Sequence, residues 1–219
     1  MLRVEFHCHT IYSKDSLTRP ENLIDACRKK GIDRVVITDH NTILGAQKAQ
    51  EIDPERVIIG EEIMTTQGEI LAAFVQEGIP SGLEPREVID ELRRQEAFIS
   101  ISHPFDNLRE GHWETGELLE ILPLVDAIEV FNARNLQKET NQQAREFAEQ
   151  HNIAGTVGSD AHTAFELGTA LLLLPEFSNS DDLRGVIRSA QPLGKASPAW
   201  VHLASRYAVF RKQLAGVKG

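Results

Sequence analysis

Along this chain, short and nearly unbroken apolar runs alternate with stretches whose apolar residues recur every three or four positions. The runs LRVEF (2–6), RVVITD (34–39), RVIIGEEI (56–63), EILAAFV (69–75), AFISIS (97–102), DAIEVFN (126–132), IAGTVGSD (153–160) and GTALLLLP (168–175) predict strands. RVVITD is almost wholly apolar, as in a strand buried on both faces. Helices are predicted between the runs. The first spans 18–31, with Thr18 as N-cap, Pro20 in the first turn, Glu21 completing a capping box and Gly31 as the stop. Others are NTILGAQKAQEI, residues 84–96 with Val88, Ile89 and Leu92 on one face, TGELLEILPLV broken near Pro123, residues 136–152 and residues 180–190. The tail AWVHLASRYAVFRKQLAG predicts an amphipathic helix with Trp200, Leu203, Ala204, Tyr207 and Leu214 near one stripe. Strands separated by helices favour an α/β fold with a parallel sheet and crossover helices. The units suffice for a closed barrel. A doubly wound open sheet is the alternative, because periodicity does not separate the two.

The 219 residues fit one domain, 1–219, in which 192–219 form a helical tail packed on the rest. That tail is expected either to cover the bottom of the barrel or to offer a contact for a homo-oligomer. Hydrophobic and charged shares of 41% and 26% are ordinary for a globular chain. No apolar run approaches the roughly 20 residues that span a bilayer, and no secretory leader is expected. Cys8 and Cys27 are too few for a disulfide framework, and a reducing cytoplasm is the simplest setting. The formal net charge of -10 disfavours binding to long nucleic acid. It leaves room for a small anionic substrate, since bound cations reverse the field inside one pocket.

The ionisable residues change the picture most. His7 and His9 end the first run, His40 follows the second, Glu61 and Glu62 close the third, and His103 closes FISIS. Asn132 and Arg134 end AIEVF, and Asp160 and His162 end GTVGS. All sit at carboxyl ends of predicted strands, which in a parallel barrel form the rim where active sites are built. Two residues apart on a strand end, His7 and His9 face one side and can hold one ion together.

Singly, each signal has an ordinary explanation. His-x-His can be polar packing, His103 a loop histidine before Pro104, Asp160 a helix cap and Glu62 a surface carboxylate. Jointly, five histidines (His7, His9, His40, His103, His162) and three carboxylates (Asp15, Glu62, Asp160) point to a metal site. His112, His151 and His202 lie elsewhere and read as surface or packing residues. Cys8 and Cys27 read as small core residues.

In this order, HCHTIYSKDS, TDHN, GEEI, SHPFD and GSDAH resemble the motifs of the PHP (polymerase and histidinol phosphatase) family, from residue 2 to about 175. The compact SKDS is similar to the branch of small stand-alone metal-dependent phosphoesterases. The resemblance implies a distorted parallel barrel of seven strands with two or three divalent metals at the carboxyl rim. It implies that His7, His9 and Asp160 hold one ion, that Glu62 bridges it to a second also held by His103, and that Asp15, His40 and His162 hold a third. It selects Glu62 over Glu61, because the family places its glutamate second after the glycine. The chain departs at Asn132, where many members carry histidine. Asparagine is a poorer ligand, which weakens the second position.

Imidazole and carboxylate without thiolate suit Zn, Mn or Fe. Two such cations lower the pKa of a shared water, and the resulting hydroxide can attack phosphorus in line. Arg134 and Arg109 are candidates to grip a phosphate, with a surface salt bridge the ordinary alternative for each. His162 or His40 can assist as an acid. No Walker loop, dinucleotide fingerprint or nucleophile elbow is present. The expected function is hydrolysis of a small phosphomonoester. The competing readings are trimming of short nucleic-acid ends and a noncatalytic, metal-stabilised interaction module.

Overall fold

Residues 1–216 are described by a computed structural model; the end of the expected tail, 217–219, lies outside the described residues. β1 (Leu2–Glu5), β2 (Arg34–Ile37) and β3 (Val57–Met64) pair in parallel. Their crossovers are α1 (Pro20–Lys30) and α2 (Leu44–Ile52). β4 (Glu69–Ala73) follows β3 after a short turn in which the Thr65 hydroxyl donates to the Gly68 carbonyl at 2.6 Å. So short a link permits only a hairpin, and β4 runs antiparallel to β3, a local interruption of the expected parallel sheet. It is also antiparallel to β5 (Phe98–Ile101), reached through α3 (Pro85–Arg94). β6 (Ala127–Asn132) and β7 (Ala154–Gly158) continue in parallel, joined by α5 (Lys138–Gln150). α4 (Thr115–Ile121) precedes β6 and passes into a 3-10 turn, Leu122–Leu124, at the expected break.

The neighbours therefore run β7-β6-β5-β4-β3-β2-β1. Beyond β7 the chain meets β1 again. The His9 amide donates to the Ala161 carbonyl at 2.8 Å, and the Ala161 amide to the His7 carbonyl at 3.4 Å. This seam turns the arc into the expected distorted, nearly closed seven-stranded barrel in place of an open sheet. On the other side of β1, β8 (Ala170–Leu174) pairs antiparallel with it, and β9 (Gln191–Gly194) pairs with β8 after α6 (Ser180–Val186). The residues of β9, QPLG, are exposed and lack an apolar period, so the sequence pattern predicts no strand there.

One apolar cluster includes Val4, Phe6, Val36, Ile63, Ile70, Phe98, Ile101, Ile128 and Val157, with Phe6 edge-on to Phe98 at 5.7 Å between ring centroids. A second, containing Cys8, Leu23, Ile24, Cys27, Val35, Ile37 and Ala46, packs α1 and α2 on β1 and β2. Both cysteines are free and buried, as expected of core residues.

Two local expectations are corrected. Thr18 does not cap α1. Arg19 precedes Pro20 without a side-chain cap, and the Thr18 hydroxyl donates instead to the His162 carbonyl at 3.0 Å. Gly31 does end the helix, at φ 64°, a conformation glycine adopts without Cβ strain. The tail helix, α7 (Val201–Leu214), does not cover the bottom of the barrel. It lies at the carboxyl rim, where Arg134 donates to the Val201 carbonyl at 3.3 Å and to the Ser205 hydroxyl at 2.7 Å. Its stripe of Trp200, Leu203, Tyr207 and Leu214 faces outward, while Val201, Ala208 and Lys212 are buried.

Candidate metal centre at the carboxyl rim

The extension of β1 carries His7 and His9 into the cavity, their rings 5.1 Å apart. Glu62, near the end of β3, sits among four imidazoles. His7 Nε2 and His103 Nε2 lie 3.3 and 3.2 Å from Glu62 Oε1. His9 Nε2 and His40 Nδ1 lie 3.5 and 3.0 Å from Oε2. Asp160 Oδ1 faces His9 Nε2 at 3.2 Å and His7 Nε2 at 3.6 Å. Asp15 Oδ2 faces His162 Nε2 at 3.0 Å and His40 Nε2 at 3.5 Å. All eight predicted ligands are thus gathered at one place. Glu61 points the other way and accepts from the Ile79 amide at 3.0 Å.

Backbone geometry aims these groups. Asn41, just after His40, and Asp160 have φ of 55° and 52°, left-handed values that cost side-chain-bearing residues energy and cluster at functional sites. Gly158 lets strands approach closely. A Cβ there would lie 2.4 Å from both His7 Cβ and Glu129 Oε1.

Buried partners orient the rings. His7 Nδ1 lies 2.9 Å from Glu129 Oε1, and because the carboxylate only accepts, the ring donates and its Nε2 keeps a free lone pair. The Ser13 hydroxyl donates to Asp39 Oδ1 at 2.6 Å, so it accepts from His9 Nδ1 at 3.1 Å and frees His9 Nε2 in the same way. His7 Nε2, His9 Nε2, Glu62 Oε2, Asp160 Oδ1, Asp15 Oδ1 and His103 Nδ1 are buried without a hydrogen-bond partner. Buried polar atoms are nearly always satisfied, so orphans gathered in one place mark a site shaped for something else. Neutral imidazole lone pairs beside carboxylates fit divalent cations. Three groups of donor atoms lie within 4.8 Å of one another: His7, His9 and Glu62; His9, His40 and His162; and His40, Glu62 and Glu69.

The titration directions agree with dense, opposed charge. Burial disfavours the His7 cation, yet Glu62, Glu129 and Asp160 outweigh burial and hold its pKa well above the usual value. Burial, reinforced by His162 and His40, pushes His9 down to about 3. Burial opposes ionisation of Glu62 and Asp160, but the imidazoles beside both and Arg109 beside Asp160 hold them well below the usual carboxylate range.

Glu69 and Glu129 were missed in the sequence. Glu69 opens β4 and lies 3.4 Å from His103 Nε2 and 3.8 Å from His40 Nδ1. Burial raises its pKa, and the nearby Glu62 charge raises it further. Glu129 accepts from His7, from the His103 amide at 2.9 Å and from Asn132 Nδ2 at 3.0 Å. The available signal was a lone glutamate among apolar residues in AIEVF.

The remaining candidates are distributed as follows. Arg109 lies in the mouth and bridges Asp160 Oδ2 at 2.6 Å and Asp106 Oδ2 at 3.0 Å. Asn132 donates to Glu129 and, at 3.3 Å, to Asp160 Oδ2, so its amide braces the site. Arg134 is buried, packed beside His162, paired with Glu166 at 3.3 Å and tied to α7. His202 accompanies it, its Nε2 donating to the Arg134 carbonyl at 3.1 Å. Above the ligands opens a cavity of about 370 Å³ lined in part by Lys14, Arg109, Arg134, Leu136 and Arg206.

Such a barrel, with imidazoles and carboxylates converging on its carboxyl rim, has donor clusters that could bind metal. The chain belongs to the PHP family: the PHP domain matches residues 5–150, and the PHP-associated C-terminal family matches residues 138–192. The uncharacterized protein MJ0417 of Methanocaldococcus jannaschii is 38% identical over 188 residues, 83% of this chain and 75% of its own length. A protein of Caldicellulosiruptor bescii named "Probable phosphatase" is 26% identical over 200 residues, 76% of this chain and 82% of its own. A two-domain protein of Bacteroides vulgatus containing a predicted PHP-like metal-dependent phosphoesterase shares the fold. Its TM-score is 0.70 at 19% identity, over 89% of this chain and 65% of that one. No helix among the described residues is long and apolar enough to cross a membrane.

Proposed function

We propose that the protein is a phosphatase that hydrolyses a small phosphomonoester with two or three divalent cations, Zn, Mn or Fe. The observation that carries this reading is the set of unpartnered, buried ligand atoms beneath a mouth lined by Lys14, Arg109, Arg134 and Arg206 together with Asp15, Glu69, Asp106 and Glu110. His7, His9, Glu62 and Asp160 would hold one ion. Glu62, His103 and Glu69 would hold a second, with Glu69 supplying a donor that Asn132 does not. Asp15, His40 and His162 would hold the third. Bound there, such ions supply water activation at neutral pH and neutralise phosphoryl charge.

The chain's own side chains do the rest. Arg109, paired through Nε with Asp106 and through Nη1 with Asp160, would offer its remaining N–H groups to phosphate oxygens in the mouth, and Lys14 and Arg206 add charge at its wall. Arg134 is already engaged with Glu166 and α7. It holds the Asp160–His162 turn and adds positive field from behind. Burial of His7, His9 and Glu62 keeps bulk water from competing for their lone pairs. A cavity of about 370 Å³ suits a metabolite and is small for a nucleic-acid track.

The test is phosphate release from a broad panel of monoesters by metal-loaded protein, with a dinucleotide beside each mononucleotide. Release from monoesters, abolished in His9→Ala, supports the reading. Cleavage of the dinucleotide alone favours trimming of nucleic-acid ends. No release from any ester, with an active control phosphatase in the same assay, overturns it.

A further inference from the structure

Lys212 is an unusual buried residue. It lies on the inner face of α7 with 9% relative exposure, and it forms no ion pair among the described residues. Its ammonium donates to the Ile11 carbonyl at 2.5 Å and to the Ser13 carbonyl. Removing an ammonium from water costs several kcal/mol unless its donors are satisfied. Packing alone would favour an apolar residue there, as at Val201 and Ala208.

What Lys212 grips is the loop between β1 and α1. Inside that loop the Ser13 hydroxyl accepts from His9 Nδ1 and, at 3.0 Å, from the His40 amide while donating to Asp39. Two residues on, Asp15 faces His40 and His162. The loop is therefore held by Asp39 from within the barrel and by Lys212 from the tail, more than 190 residues away in sequence. Asp15 is 19% exposed at the mouth, and its placement depends on the loop that carries it.

We propose that Lys212 is a positioning residue that fixes the Asp15 loop and thereby sets the affinity of the Asp15–His40–His162 ion position. The inference rests on the metal-centre reading above. Lys212 reaches the His7–His9–Glu62 group only through Ser13, whose hydroxyl is fixed separately by Asp39 and the His40 amide, while His7 is oriented by Glu129.

The experiment titrates metal-free, full-length protein with Mn²⁺, reading free ion by electron paramagnetic resonance and folding by circular dichroism. Lys212→Met should fold and should weaken about tenfold or more the same Mn²⁺-binding step that Asp15→Asn weakens, the lower end of the loss seen when an outer partner of a ligand is removed. The other ions should be unchanged. Lys212→Arg, which retains donors for both carbonyls, should restore that step. If Lys212→Met fails to fold, Lys212→Gln carries the same measurement. Wild-type affinities for every ion in the variant overturn the proposal, as does equal weakening of all ions. Wild-type protein that binds no Mn²⁺ overturns the metal reading itself, which separates the two failures.

Discussion

His7 shows how one ring is prepared for an ion. Its Nδ1 is committed to Glu129, its Nε2 is left bare, and Gly158 leaves the room for both. Glu129→Gln keeps the shape and can still accept one hydrogen bond, but it removes the charge that makes His7 a stronger donor. The expected result is a 10- to 100-fold loss of metal affinity with the fold retained, measured by Mn²⁺ titration. Glu61 makes a prediction about pH. It is fully buried, and burial pushes its pKa from 4.5 up to about 7. Between those values the folded state keeps a proton that the unfolded state releases, so stability falls as pH rises through the window. Glu61→Gln has no proton to lose. Near pH 8 it should be more stable than wild type by on the order of 3 kcal/mol, and near pH 4 similar to it, by urea unfolding at both pH values. Glu5, also pushed up by burial to about 7, keeps the same sign, so the variant's slope is reduced and does not vanish. Seven of the eight candidate ligands were legible because histidine and aspartate at or just beyond strand ends stand out from apolar surroundings, whereas Glu62 was separable from Glu61 only through the family resemblance. Glu69 and Glu129 were not, because their roles depend on which strands become neighbours, and that information is spread over the whole chain.

At the scale of elements, most helices and strands followed from their period, and α3 runs Pro85–Arg94 within the predicted 84–96. Strand direction did not, because alternation of side chains is the same in parallel and antiparallel ladders; only the length of the β3–β4 link decides it. α7 teaches a related point. An amphipathic pattern shows which face is apolar and not which face is covered. Its inner face is made by Val201, Ala208 and a lysine, while Leu203, Tyr207, Phe210 and Leu214 remain exposed at spacings of four, three and four. We propose that two copies pair through this stripe, since that spacing suits a facing helix. Sedimentation velocity should then show a concentration-dependent dimer that Leu203→Glu abolishes. A monomer for both sequences at every concentration counts against pairing.

For the whole molecule, the decisive feature is that groups from all seven barrel strands, or from the loops that follow them, meet in one charged cluster. Without cations, Glu62, Glu69, Asp160, Asp15 and Glu129 crowd together with imidazoles as their main compensation. Chelation should therefore lower the melting temperature. An ion present at 100 times its Kd adds about 2.7 kcal/mol, or roughly 5–10 °C for a chain of this size, and adding the metal back should restore it. An unchanged melting curve with excess chelator would argue that the cluster holds no ion. The formal net charge of -10 says nothing of this local field, which is why bulk composition bounded the partners without locating the site.

The seam between β1 and Ala161 has a consequence for the order of events during synthesis. His7 and His9 are synthesised some 150 residues before Asp160 and His162, so a nascent chain that stops short of Asp160 lacks part of the proposed ligand set. On the reading proposed above, an ion held by all of these groups would be loaded only after β1 and the Ala161 turn have met, and the cell's metal supply would act on the folded barrel.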